Sequence, residues 1–445
     1  MKRNKKILIT LGGIVLLAGV YFLILKTAPK NAGYFPFLLI LLGLDLFLWR
    51  SIQKLLKKSP TFIRASFATL YWSPAVILFL SLLATLLCKR YNPSSHAVIY
   101  LMGFVFTMYV SKLVPGLVDL ISALIRFLIR IISRIFRLGD VNTEVINRGF
   151  RPVHLAGYGT GLAMLVLLVL GMAWWGYDFR IVEHNLSIPD LPEAFRGCRI
   201  VQISDLHLGT WPSKSKLEEV VSDVNELSPD LILFTGDMVN SRSSEMAPYE
   251  SILKKARAMI GIYAVLGNHD YGDYATWDSP EEKDHNLREL YDYFDRIGWN
   301  LLGNKNEIIN IDGDSIALVG VDNWSIYDRF DKKGDLAKAM KGLPDSLTIL
   351  LMTHDPSHWE KEVITGYPDI DLTLTGHTHG FQFGIETNQV KWSPVQWLYD
   401  EWAGMYEYSQ SDGRKQYLYV NRGLGAIGYP GRVGIRPEIT LIVLN

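Results

Sequence analysis

Five apolar runs fill most of the first 175 residues: 7–25, 35–49, 70–88, 97–118 and 155–175. At 1.5 Å per residue, a run of about 20 apolar residues crosses a hydrocarbon core of about 30 Å. Residues 1–177 are therefore expected to form an α-helical, multi-pass membrane region of about five helices. A cleaved signal peptide is the alternative for the first run, but no small-x-small cleavage site follows it and further spans do. The second run is the shortest and contains Asp45, close to Trp49 and Arg50. Asp45 reads as an interfacial residue that reaches water rather than as a functional intramembrane carboxylate.

Lys and Arg accumulate in the cytoplasmic loops of membrane proteins, and here they alternate from loop to loop. Lys2, Arg3, Lys5 and Lys6 precede the first run, and Arg50, Lys54, Lys57, Lys58 and Arg64 follow the second. Arg126, Arg130, Arg134, Arg137, Arg148 and Arg151 separate the fourth from the fifth, whereas the opposite loops hold only Lys26 and Lys30, then Lys89 and Arg90. The amino terminus is expected inside and everything after Trp175 outside. Residues 120–138, LISALIRFLIRIISRIFRL, carry arginines four, four and three apart on an otherwise apolar helix. That spacing suits a basic helix in the cytoplasmic interface, with its guanidinium groups among lipid phosphates. A nucleic-acid-binding arm is disfavoured because the other faces are too apolar to be solvated, so lipid rather than nucleic acid is the expected partner.

From about Asp178 the character of the chain changes. The formal charge is +0 overall, yet carboxylates are scarce before this point and plentiful after it. Residues 178–445 read as an α/β domain with more than one sheet. Helices are expected at 213–227, 244–259, 279–297, 331–341 and 357–364. The third has Ser279 as N-cap, Pro280 at the first helical position and Gly298 just past its end. Strands are expected at 308–311, 316–321, 418–421 and 439–444. Only Cys88 and Cys198 are present, so no disulfide framework is implied.

Five further stretches in this half are apolar and end in polar residues of one chemical kind. They read CRIVQISDLHLG (198–209), DLILFTGD (230–237), IYAVLGNHD (262–270), ILLMTHD (349–355) and LTLTGHTHG (372–380). Loops beyond the carboxyl ends of strands are where an α/β scaffold collects ligands. Gly236, Gly267 and Gly376 precede three of the polar residues, where a tight turn would need a permissive backbone. Together the stretches supply Asp205, His207, Asp237, Asn268, His354, His377 and His379, with no cysteine among them. Carboxylate, amide oxygen and imidazole together suit Mn, Fe or Zn, and seven donors exceed what one tetrahedral ion takes. Two ions sharing a carboxylate account for the set. Such a pair, about 3.5–4 Å apart, can activate water and hold both oxygens of an in-line phosphoryl displacement. Any one of these pieces is background in a chain of this size, and a lone histidine is more often a satisfied core residue. All of them in this order, each at a strand end, are not background.

In Asp205-Leu206-His207, Gly236-Asp237, Gly267-Asn268-His269-Asp270, His354 and Gly376-His377-Thr378-His379 the sequence resembles the calcineurin-like metallophosphoesterase superfamily. The resemblance covers about residues 179–444 and looks nearest to a bacterial membrane-associated branch. That branch closes with a block like Asn421-Arg422-Gly423-Leu424-Gly425 followed by Arg436-Pro437-Glu438. By this resemblance Asp205, His207, Asp237 and His379 hold one ion, Asp237, Asn268, His354 and His377 hold the second, and Asp237 bridges them. It also implies that His269 is catalytic, protonating the leaving oxygen or steadying the phosphate. The implied fold is two facing mixed β-sheets flanked by helices. Members of the branch often carry Gly-Gly-Gln after the second histidine, whereas this chain has Gly380-Phe381-Gln382.

The expected function is that of a membrane-anchored dinuclear phosphoesterase, cleaving a lipid-linked or cell-envelope mono- or diester outside the cytoplasm. One alternative is a lipid A enzyme like the UDP-2,3-diacylglucosamine pyrophosphatases, whose cytoplasmic substrate conflicts with the charges of the loops. Another is a transporter or sensor fused to a non-catalytic soluble domain. Spans with hardly any buried polar residues, no inverted repeat and no broken helix argue against a substrate pathway. Phe381, Phe383, Trp392, Trp397, Tyr399, Trp402, Met405 and Tyr406 crowd a segment of little charge beside His377 and His379. They read either as core under a long loop or as an apolar wall that admits an acyl or prenyl chain. The last run ends at Trp174-Trp175, an interfacial pair that keeps the domain near the headgroups.

Overall fold

The computed structural model describes residues 18–19, 21–22, 24–26, 33–87, 95–136, 143–344, 346–387 and 389–445. The chain forms two compact units, Met1–Pro93 with Leu101–Leu167, and Ser94–Tyr100 with Leu168–Asn445.

The first unit is helical. It is built from α1 (Tyr34–Leu55), α2 (Thr61–Leu87) and the greater parts of α3 (His96–Ile135) and α4 (Thr143–Ala173). Among the described residues, Phe35–Lys58, Thr61–Thr85 and Gly149–Tyr177 are long and apolar enough to cross a membrane. The first expected span, 7–25, lies largely outside the described residues, although Tyr21, Phe22, Ile24 and Leu25 are helical. The fourth expected span and the basic interfacial helix are not separate elements, because α3 runs unbroken for 40 residues from the first into the second and ends at Ile135. That length is about 60 Å. The only helix breaker inside α3 is Pro115, which removes one hydrogen bond without ending the helix.

Asp45 does not reach water. It is fully buried, and its carboxylate accepts from Lys112 Nζ at 2.7 Å and Tyr109 Oη at 2.8 Å. Lys112 also donates to the Tyr71 carbonyl at 3.1 Å and lies 4.0 Å above the Tyr71 ring. Further along α3, Asp119 accepts from the Tyr158 hydroxyl at 3.1 Å and meets His154 Nδ1 at 2.5 Å. The bundle therefore does hold buried charge, contrary to the expectation from hydropathy. One charge in a long apolar run barely lowers the average, and each charge here finds its partner on another helix. Removing one member of such a pair leaves an uncompensated buried charge, a cost of about 3–5 kcal/mol. Lys112→Met should accordingly lower the thermal unfolding midpoint of the detergent-solubilised protein, and adding Asp45→Leu should recover most of the loss. An unchanged midpoint in the single variant would show that the pair does not support the bundle.

The second unit contains two six-stranded mixed sheets and a small hairpin. In chain order the strands are β1 (Arg180–Leu186), β2 (Arg199–Ile203), β3 (Leu231–Phe234), β4 (Gly261–Ala264), β5 (Asn300–Leu301), β6 (Lys305–Ile311) and β7 (Asp314–Gly320). They continue with β8 (Thr348–Met352), β9 (Leu372–Thr375), β10 (Ile385–Glu386), β11 (Lys391–Trp392), β12 (Gly404–Ser409), β13 (Lys415–Val420) and β14 (Glu438–Leu444). The sheet orders are β1-β14-β2-β3-β4-β5 and β12-β13-β9-β8-β7-β6, with β10 and β11 forming the hairpin.

Alternation along the strands explains the layering. Ile200, Leu231 and Leu233 point between the sheets, where they meet Ile316, Leu318, Leu350, Met352, Leu372 and Leu374. Their neighbours Val201, Ile203, Ile232 and Phe234 face α5 (Lys214–Glu226) and α6 (Pro280–Ile297) through Leu217, Val220, Leu290 and Phe294. On the far side Ala317, Val319, Ile349 and Leu351 pack on Leu336, Trp359 and Val363. Strands covered on both faces are apolar throughout, which is why these runs stand out in the sequence. The fold is thus the two facing, helix-flanked sheets that the resemblance implied.

α6 begins with the Ser279 hydroxyl accepting from the Glu282 N–H and ends at Gly298 with φ +77°. The helix expected at 244–259 is instead a pair of 3-10 turns and the single turn Glu250–Leu253, with Pro248 lacking the N–H a longer helix would use. The one expected at 331–341 shrinks to Leu336–Met340, whereas the one expected at 357–364 is present and runs on to Gly366, with the π turn Trp359–Val363 inside it. Strands β2, β3 and β4 are parallel, as are β7, β8, β9 and β13. Each group therefore delivers its carboxyl ends to one edge of its sheet.

Candidate metal centre

The turns at those ends are fastened to one another through the backbone. Asp205 N–H donates to the Gly236 carbonyl at 2.9 Å and His207 N–H to the Asp237 carbonyl at 3.1 Å. The buried Asp270 carboxylate accepts from the backbone N–H groups of Asp237, Met238, Val239 and Gly267 at 2.8–3.2 Å. His377 N–H donates to the Asp205 carboxylate at 3.0 Å, which joins the first sheet to the second. Asp205, His207, Asp237, His377 and His379 all have left-handed backbones, with φ between 43° and 70°. Non-glycine residues held in such conformations cost about 1–3 kcal/mol each, and they concentrate at functional sites. The glycines beside them serve two different needs. Gly236 supplies the expected left-handed turn with φ +96°. Gly267 and Gly376 supply room instead, since a Cβ would come 2.2 Å from Asp237 Oδ1 and 2.3 Å from Asp205 Oδ2 respectively.

The structure brings six of the seven expected donors into two groups, Asp205 with His207 and His379, and Asp237 with His354 and His377. In the first, His379 Nε2 lies 3.1 Å from His207 Nε2 and 3.2 Å from Asp205 Oδ1. In the second, His354 Nε2 lies 3.2 Å from His377 Nδ1 and 3.2 Å from Asp237 Oδ2. The same Asp237 oxygen is 3.5 Å from His207 Nε2, so one carboxylate stands between the groups. The seventh donor, Asn268, gives its Nδ2 to the Tyr274 hydroxyl at 2.7 Å and leaves its Oδ1 buried without a partner.

Facing imidazole nitrogens, two buried carboxylates and an orphaned amide oxygen form a set that fits divalent cations. The protonation pattern agrees. Burial pushes the His354 imidazole down, but the Asp237 and Asp205 carboxylates outweigh it and hold it up at about 10, so a proton sits where ion charge would serve. Burial also opposes ionisation of Asp237, yet His354 and His269 drive it well below the usual carboxylate range. His377 is lowered to about 4 by burial, which keeps it a neutral donor. The Thr235 carbonyl, 2.7 Å from His354 Nδ1, fixes the tautomer that leaves Nε2 facing the site.

His269 lies beside these residues with different partners. Its N–H donates to Asp237 Oδ1 at 2.9 Å, its Nδ1 to the Asn240 carbonyl at 2.7 Å, and its ring stacks on Tyr274 at 4.2 Å. Next to Asn268 and Tyr274 a cavity of about 130 Å³ is also lined by Asn323, Arg329 and Phe330. Phe330 meets the His377 ring edge-on at 5.0 Å, and the Arg329 guanidinium lies 4.6 Å above Phe330.

Sequence reasoning missed the supports behind the donors. The Tyr399 hydroxyl accepts from His377 Nε2 at 2.9 Å and donates to Asp355 Oδ2 at 3.2 Å. Fully buried Arg432 donates to the carbonyls of Gly423 at 3.0 Å and Gly425 at 2.7 Å and lies 3.4 Å from His379 Nδ1. Of these only Asp355 carried a signal, by following His354. The apolar wall expected from the aromatic segment is divided: Tyr399 and Trp402 are core, packed with Val395 and Ile435, while Phe381 and Trp397 are exposed. Partners that orient metal-ligating histidines typically contribute about 10- to 100-fold in metal affinity. Tyr399→Phe should weaken metal binding by that order in calorimetric titration and leave the circular dichroism spectrum intact. Undiminished affinity would show that the hydroxyl does not orient His377.

Residues 198–381 match the family model described as Calcineurin-like phosphoesterase. Residues 31–175 match the one described as Probable Calcineurin-like phosphoesterase, transmembrane domain. The chain is 32% identical over 268 residues to the metallophosphoesterase YkuE of Bacillus subtilis (strain 168), covering 59% of this chain and 84% of that one. The chain belongs to the calcineurin-like metallophosphoesterases. This metallophosphoesterase also resembles the transmembrane protein with metallophosphoesterase domain of Danio rerio, at 29% identity over 428 residues, 92% of this chain and 87% of that one. It is 29% identical over 321 residues to the UDP-2,3-diacylglucosamine pyrophosphatase LpxG of Chlamydia muridarum (strain MoPn / Nigg), covering 60% of this chain and 92% of that one. The metallophosphoesterase is therefore a membrane-associated, metal-dependent phosphoester hydrolase.

Proposed function

We propose that this metallophosphoesterase hydrolyses a lipid-linked or cell-envelope phosphoester outside the cytoplasm. In this reading Asp205, His207, Asp237 and His379 surround one divalent ion and Asp237, Asn268, His354 and His377 the other, with Mn, Fe or Zn suited to the donors. The observation that carries it is the pair of donor groups meeting at Asp237. When bound, the two ions supply positive charge for the phosphate and acidity for a water. The chain's own residues supply position and protons. His269, its Nδ1–H held by the Asn240 carbonyl and the ring lowered by burial, takes up at Nε2 the proton that the attacking water sheds and hands it to the leaving oxygen. Arg329 and Asn268 line the cavity in which a phosphate would seat.

The charge pattern of the loops supports the orientation. Tyr100, near the start of α3, is hydrogen-bonded to Tyr177, just past α4. This contact supports putting the start of α3 on the side of the catalytic domain. A reporter active only outside the cytoplasm, fused after Asn445, should give signal, and one near Leu138 should not. In nanodiscs with Mn²⁺ the protein should prefer lipid-linked phosphoesters to soluble nucleotides. The likeness to LpxG supports a second reading, a cytoplasmic UDP-2,3-diacylglucosamine pyrophosphatase. Reversed reporter signals, together with cleavage of that nucleotide, would establish it in place of the first.

A further inference from the structure

The loop carrying His379 is fastened to the end of the last membrane helix. Leu168–Ala173 of α4 belong to the same compact unit as the catalytic domain. There the Gly171 carbonyl accepts from Arg432 N–H at 3.2 Å and the Leu168 carbonyl from the Tyr429 hydroxyl. The fit is close, since a Cβ at Gly171 would lie 2.7 Å from the Arg432 carbonyl oxygen. Residues 429–433 in turn hold the chain just past His379. Gln382 Nε2 donates to the carbonyls of Tyr429 at 2.6 Å and Gly431 at 2.8 Å, and Gly384 N–H donates to the Val433 carbonyl at 2.9 Å.

Phe381 sits in this short connection with φ +57° and its ring 55% exposed. A bulky residue in left-handed backbone is strained, and an exposed ring gains nothing from water, so neither feature is explained by the fold. The neighbouring hairpin continues the pattern. The Ser393 hydroxyl donates to the Gly380 carbonyl at 2.8 Å, Ile385 pairs with Trp392, and Trp392 meets Trp397 at 6.2 Å. Trp397 is 73% exposed, and Ile385, Val390 and Leu398 are exposed with it. The charged residues of the hairpin turn inward: Glu386 pairs with Arg422, and Lys391 donates to the Ala403 carbonyl.

We infer that Phe381, Ile385, Val390, Trp397 and Leu398 bed in the headgroup layer of the bilayer that α4 crosses. Continuity with α4 identifies the occupant as lipid. A domain already tethered to the bilayer docks without a further loss of translational freedom, and aromatic rings favour that interface. Docking then brings the loop that carries His379 to the membrane surface, which deepens the proposed function and rests on it for the identity of the substrate. The docking itself rests only on the exposed face and its link to α4.

The test uses full-length protein with Cys88→Ala, in which the remaining Cys198 is buried. Spin labels at Ile385→Cys, Trp397→Cys and the control Asp412→Cys are compared in nanodiscs of phosphatidylethanolamine and phosphatidylglycerol, one copy per disc. Collisions with oxygen should dominate at 385 and 397, and collisions with a water-soluble nickel chelate at 412. Chelate access at 385 and 397 equal to that at 412 would overturn the docking. Shielding from both reagents would overturn it too, because it would mean that protein covers the face. In the same discs Trp397→Ser should raise KM for a lipid-linked phosphoester several-fold and leave that for a soluble chromogenic diester unchanged. Equal KM changes for both, with the oxygen preference retained, would remove the lipid-linked substrate while leaving the docking established.

Discussion

Asp237→Asn should deprive the purified metallophosphoesterase of most of its metal and lower turnover by about 10³-fold or more, since several kcal/mol of transition-state charge stabilisation goes with the ions. The reason is position. Asp237 Oδ2 lies 3.2 Å from His354 Nε2 and 3.5 Å from His207 Nε2, between the two donor groups. An amide there keeps the shape and the acceptor for His269 N–H but removes the anion that offsets repulsion between two cations. A second consequence appears without metal. Asp237 helps to hold His354 up at about 10, against an ordinary value of 6.5. A raised folded value stabilises the protein fully below the unfolded one, and that contribution is lost as pH rises through about 10. The metal-free native protein should thus lose stability between about pH 6.5 and 10, and Asp237→Asn should flatten that dependence. Full metal content with native turnover in the variant would refute the bridging role.

His269→Ala should behave in the opposite sense, retaining both metals yet losing about 10²- to 10⁴-fold in rate, the usual contribution of a positioned acid or base. The side chain makes no part of either donor group, and the backbone N–H that reaches Asp237 survives the substitution. The loss should be largest for poor leaving groups and small for p-nitrophenolate, which departs without a proton. Loss of metal in place of rate would make His269 a ligand. An equal loss for every leaving group would indicate that it steadies the phosphate rather than protonating the leaving oxygen.

How much of this was legible in the sequence depended on whether a residue's role is local. The strands and their five polar ends could be read because strands covered on both faces are continuously apolar and stop abruptly before Asp205, Asp237, Asn268, His354 and His377. Ser279 and Gly298 marked α6 for the same reason, since caps act on adjacent residues. Roles that arise only when distant segments meet were hidden. Tyr399 reaches His377 from 22 residues away and Arg432 reaches His379 from 53, and neither residue type signals such a contact. Lys112 and Asp45, 67 residues apart, cancel each other inside the bundle while looking in isolation like residues bound for water. Gly267 and Gly376 were legible as necessary but for the wrong reason, because room for a carboxylate and freedom of φ leave the same letter in the sequence.

One dinuclear centre shared through Asp237 should give a distinctive electron paramagnetic resonance spectrum when the full-length protein is loaded with Mn²⁺. Two equivalents per chain with an exchange-coupled signal, lost in Asp237→Asn, is the result expected. A single equivalent with an isolated six-line spectrum, unaffected by that substitution, would contradict it.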